Sequence, residues 1–127
     1  RTLSQIHGVD LDEERREVAI AELTPTQARV YADELEGRQY ELEHGLAEPL
    51  VVIDNGGTLY LADGHHRAMA AREAGIEAMD AYVIVPRTPV DLGMAKTAEK
   101  EGLRVVDDIE IVDYARHPLV ETTKRLQ

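Results

Sequence analysis

Two short apolar runs, Leu50-Val51-Val52-Ile53 and Thr58-Leu59-Tyr60-Leu61-Ala62, are separated by Asn55-Gly56-Gly57, and no other stretch of the chain limits its fold so tightly. Consecutive glycines accept the positive φ of a tight reverse turn, while β-branched and aromatic neighbours favour extended backbone, so a β-hairpin is expected. The residues that follow narrow the choice further. Gly64 allows a turn after the second strand, and His66 to Ala74 is rich in alanine, with Ala68, Ala70, Ala71 and Ala74 small enough for a helix to lie close against a sheet. Gly75 then ends that helix.

The flanking elements are read in the same way. Glu17 to Ala21 alternates as a strand does, and Leu23-Thr24-Pro25 is expected to turn, because proline fixes its own φ and biases its predecessor away from helix. Between Tyr31 and His44 the spacing predicts a helix with Tyr31, Leu35 and Leu42 on one stripe, its middle weakened by Gly37 and its end capped at Gly45. Ala81 to Val85 reads as a buried strand closed by Pro86. Pro89 to Gly102 fits a helix with Leu92, Ala95 and Ala98 inward, Leu103 to Val106 and Ile109 to Val112 are expected to be two short strands or extended pieces, and Pro118 suits the first turn of a closing helix. This order predicts an α+β domain, a small mixed β-sheet with packed helices. Tyr60, Tyr82 and Tyr114 are expected to pack on the sheet or core edge rather than to stack on bases.

Length and charge then limit function. A chain of 127 residues suffices for one hydrophobic core. It contains no cysteine, which excludes disulfides, thiolate catalysis and cysteine-ligated zinc. Acidic residues outnumber basic ones by 25 to 14, so long-range attraction to a nucleic-acid backbone is not expected, and solvation in a salt-rich cytoplasm accounts for the scattered carboxylates. No apolar run approaches the roughly 18 residues of a spanning helix, and the amino end lacks a basic flank with an apolar core. A soluble, cytoplasmic protein with no membrane partner is the expectation.

Chemistry concentrates at Asp63-Gly64-His65-His66-Arg67. A strand, a glycine turn and a helix start point unpaired main-chain amides at an open edge, where anions bind. Gly64 lets a ligand approach the backbone, Arg67 can offer a forked donor to phosphate oxygens, and His65 and His66 add donors or bases. Asp63 could cap the helix, orient a histidine or help hold a divalent ion. Candidate catalytic residues are therefore Asp63, His65 and His66, with Asp63 also the candidate metal ligand. Zinc would need Asp63 with His7, His44 or His117, since neighbouring histidines diverge by about 100° on a helix.

Leu61 to Ala71, read as Leu-Ala-Asp-Gly-His-His-Arg-Ala-Met-Ala-Ala and followed by Gly75, resembles the second box of the ParB/sulfiredoxin superfamily, in which a glycine and an arginine open a helix over nucleotide phosphates. Thr24-Pro25-Thr26-Gln27-Ala28-Arg29 is similar to the first box of ParB amino-terminal domains. The resemblance covers about residues 16–86, which implies a core over 16–86, an N-terminal extension over 1–15 and a C-terminal extension over 87–127 packed on the core. It implies a ParB/sulfiredoxin-like fold and a nucleotide or phosphorylated small molecule as ligand, held by Gly64, His65, His66 and Arg67, with Gln27 and Arg29 on the opposite wall. ADP, ATP or CTP would be the nucleotide.

Among the branches of that superfamily, sulfiredoxins place a cysteine where this chain has His65, so peroxiredoxin repair is excluded. Free-serine kinases of archaea share the Asp-Gly-His-His-Arg box and use a glutamate in the first box, at the position of Gln27. A Mg²⁺-dependent phosphotransferase or nucleotide hydrolase is therefore the second reading, and a ParB-like nuclease or DNA-binding module the third. Whether the chain turns over a substrate, or forms a homo-oligomer, stays open.

Overall fold

The computed structural model describes residues 2–6 and 9–113, with side chains described from Leu11 onward. Among the described residues eight strands and three helices follow one another as β1 (Thr2–Ile6), β2 (Val9–Ala19), β3 (Leu23–Pro25), β4 (Arg29–Tyr31), α1 (Ala32–Glu43), β5 (Leu50–Asn55), β6 (Thr58–Asp63), α2 (His65–Glu73), β7 (Ala78–Pro86), α3 (Gly93–Glu101) and β8 (Glu110–Val112). Single 3₁₀ turns occupy Ile20–Glu22 and Val106–Asp108. The predicted closing helix at Pro118 and the packing of Tyr114 lie outside the described residues.

Six strands form one mixed sheet in the order β1-β2-β7-β5-β6-β3, and β4 and β8 form a separate parallel pair. The hairpin appears as expected: β5 and β6 run antiparallel, and Gly56 and Gly57 both take positive φ, 63° and 95°. Strand β7 then pairs parallel to β5, which requires a crossover, and α2 supplies it. The sheet buries one face. Along β7 the residues Met79, Ala81 and Val83 are buried while Asp80 and Tyr82 are exposed, and Leu50, Val52, Leu59 and Leu61 continue the buried face across β5 and β6. Leu35 of α1 and Ala68, Met69 and Ala71 of α2 complete this core. Ala68, Ala70 and Ala71 are fully buried, so the alanines bring α2 close against its neighbours. Thr58 and Tyr60, alternating with the core residues of β6, line a cleft shared with α3, which places α3 against the other face.

Four expectations are corrected. Strand β2 starts at Val9 rather than Glu17, because its charged stretch is held in the ladder by cross-strand contacts: Arg15 lies opposite Tyr82, 5.5 Å from its ring, and 2.8 Å from Asp80. Its end also comes earlier, since Ile20 and Ala21 turn. Leu23–Pro25 is a strand, paired parallel with β6 at the sheet edge, where proline is tolerated. Leu103 to Val106 forms no strand; Asp108 accepts from the amides of Arg104 and Val105 and folds the segment into a turn.

Candidate functional site

The turn between β6 and α2 is built around Gly64, whose φ of 102° and ψ of 28° lie in the left-handed region. A side chain here would be strained and crowded as well, because a Cβ would stand 2.7 Å from Leu50 Cδ2 and 3.0 Å from Arg67 Nη2. Helix α2 therefore starts abruptly. Its first hydrogen bond runs from the Ala68 amide to the Gly64 carbonyl at 2.8 Å, and the preceding amides of His65, His66 and Arg67 have no acceptor among the described residues.

Arg67 folds back beneath the glycine. Its guanidinium donates to the Pro49 carbonyl at 3.1 Å and to Asp63 Oδ2 at 3.2 Å, and Glu48 Oε2 stands 3.6 Å away. The arginine side chain is 9% exposed, against 75% for Asp63 and 83% for Glu48, so a buried cation ties the entry of β5 to the turn while its carboxylate partners reach into solvent.

The two histidines bind main-chain amides. His65 is buried, and its Nε2 accepts from the Thr26 amide at 2.9 Å, which places its ring proton on Nδ1. Burial pushes its pKa down to about 4, with Asp63 opposing the shift and His66 adding to it. Thr26 is anchored in turn by its hydroxyl, which donates to the Leu61 carbonyl at 2.7 Å. His66 reaches the start of α1: its Nε2 lies 3.1 Å from the Tyr31 amide and 3.1 Å from Glu34 Oε2, and its ring stacks on Tyr31 with centroids 6.0 Å apart.

The two sequence boxes thus meet through Thr26 and His65. Gln27 and Arg29 lie on the loop and strand just beyond Thr26, both exposed; Gln27 Nε2 donates to the Arg29 carbonyl, and Arg29 pairs with Glu110 at 3.3 Å. Neither side chain bonds to residues 63–67 among the described residues. Thr26, Tyr31, Glu34, Glu48 and Pro49 are the partners that sequence reasoning missed. Thr26 alone carried a signal, as a member of the first box.

His7 and His117, weighed as metal ligands with Asp63, lie outside the described residues. His44 turns its Nδ1 to the Tyr40 carbonyl, and the described residues contain no group of three His, Cys, Asp or Glu arranged to hold a metal ion. Clefts of about 630 and 530 Å³ lie elsewhere, the first lined by residues such as Ile20, Arg72, Ile76 and Val105, the second by Thr24, Thr58, Tyr60, Lys96 and Arg104. The Gly64 turn lines neither. No described helix is long and apolar enough to cross a membrane.

No family model matches the chain. Uncharacterized protein MJ0188 of Methanocaldococcus jannaschii is 48% identical over 108 residues, which cover 84% of this chain and 41% of that protein. The chain thus spans less than half the length of that relative. Among solved structures, protein Atu1540 from Agrobacterium tumefaciens matches with a TM-score of 0.60 at 20% identity, covering 80% of this chain and 64% of that one. A Pnob8-like ParB-N domain matches at 0.50 and 15% identity, over 72% of this chain and 34% of that one. At such identities the likeness is one of architecture: the chain has the mixed α+β fold of ParB-N domains, the ParB/sulfiredoxin-like fold.

Proposed function

We propose that this is a ParB-like domain that binds a nucleotide or phosphorylated small molecule by its phosphate groups at the Gly64 turn. The observation that carries the reading is the set of amides of His65, His66 and Arg67 with no acceptor among the described residues, which begin a nine-residue helix behind a glycine with no room for a side chain. Three N–H groups and the positive end of a helix dipole make a surface for negative oxygen atoms. Arg67 adds its charge from below while holding the turn to Pro49. Gln27, exposed on the loop just after the Thr26 amide that His65 holds, and Arg29, exposed at the start of β4, form the opposite wall of the proposed site.

Asp63 and Glu48 set two exposed carboxylates beside the same turn, and they oppose an approaching phosphate. Nucleotide binding is therefore expected to strengthen with Mg²⁺, which neutralises part of that repulsion. Calorimetry with CTP, ATP and ADP, each with and without Mg²⁺ and each beside its nucleoside, tests the reading. At least one nucleotide is expected to bind tenfold or more tightly than its nucleoside, an increment of about 1.4 kcal/mol. Equal binding of nucleoside and nucleotide, or no binding of any, would refute a phosphate site.

A further inference from the structure

We infer that His66 is a proton-operated latch between the first turn of α2 and the start of α1, exchanging the Tyr31 amide for the Glu34 carboxylate when its imidazole takes up a proton. A single atom makes both contacts. Nε2 of His66 stands 3.1 Å from a donor, the Tyr31 N–H, and 3.1 Å from an acceptor, Glu34 Oε2. An imidazole nitrogen either offers a lone pair or carries a hydrogen. With the lone pair it accepts from Tyr31 and faces the carboxylate oxygen unfavourably; with the hydrogen it donates to Glu34 and the Tyr31 amide loses this acceptor. The two contacts exclude each other at this atom.

The surroundings keep both partners beside the ring: Glu34 is 56% exposed on α1, and the Tyr31 ring, stacked on the imidazole, holds it in place through the exchange. His66 is itself 16% exposed, so a proton can reach it without unfolding. The exchange joins the glycine turn to α1, because Tyr31 is the residue from which α1 starts. Should the amides of that turn hold an anion, as proposed above, the bound charge favours the imidazolium. Affinity for pyrophosphate then rises as pH falls, a consequence that rests on that reading, whereas the latch itself does not.

The test uses the whole chain without ligand. The Tyr31 amide is followed by nitrogen-15 NMR and by hydrogen exchange, corrected for intrinsic pH dependence, from about pH 8 to about pH 5. We expect its resonance to move through one transition and its exchange to speed up about fivefold, as for the loss of one ordinary hydrogen bond. Glu34→Gln should carry the transition to lower pH, and His66→Gln, whose amide can accept and donate at once, should abolish it. A Tyr31 amide that ignores pH, a transition unmoved in Glu34→Gln, or one surviving in His66→Gln would overturn the latch. Pyrophosphate added in a second titration bears on the anion site alone: if none binds, that reading fails while the Tyr31 result still decides this one.

Discussion

At the scale of single residues, two positions of the Gly64 turn, His65 and Gly64 itself, have properties set by their surroundings. His65 takes up a proton near pH 6.5 as an ordinary imidazole in the unfolded chain, and only at about 4 once folded. Between those values the unfolded state binds the extra proton, so stability is full above the upper value and is lost as pH falls through the window. The span is worth about 3 kcal/mol. Urea unfolding at pH 7 and at pH 4 should show a loss of that order, and His65→Gln should lose less than the unchanged protein between the same two pH values; an equal loss in both would assign the effect to carboxylates elsewhere. Gly64→Ala is expected to cost at least ~2 kcal/mol, since a left-handed φ strains any L side chain and Leu50 already fills the space. An unchanged melting temperature would mean that the turn can relax.

Elements differ in how plainly the sequence announces them. The β5–β6 hairpin and α2 were legible because glycine pairs and alanine spacing state their conformation locally. Strand β2 was not: Asp12 to Arg16 looks like solvated chain, and what makes it a strand is pairing with β7 some 65 residues away, including Arg15 with Asp80. The pair of β4 and β8 joins three-residue segments 81 residues apart, with no pattern in either to reveal the other. The candidate site divides along the same line. Its glycine, histidines and arginine form a motif, whereas the partners of His65, His66 and Arg67 include the amides of Thr26 and Tyr31 and the carbonyl of Pro49, and main-chain groups leave no mark in a sequence. Small side chains in α2 are what let it cross over the sheet so closely. Ala68→Leu, which adds bulk at a fully buried position, should lower stability by about 1–3 kcal/mol; a neutral result in thermal unfolding would show slack between α2 and the sheet.

For the molecule as a whole, an excess of eleven negative charges sets the terms on which any polyanion approaches. Duplex DNA is therefore expected to remain unbound by this chain at about 0.1 M salt, as fluorescence anisotropy would register, and tight binding that weakens steeply with salt would point instead to a basic groove. A small phosphate ligand meets a different balance, because a few main-chain dipoles at close range act where net charge is screened over about 10 Å. The measurement that reaches this point most directly is a nitrogen-15 NMR titration of the chain with CTP, ATP and ADP in the presence of Mg²⁺. The resonances of the His65, His66 and Arg67 amides should move first and furthest; if they stay still while another surface responds, the glycine turn is not where phosphate binds.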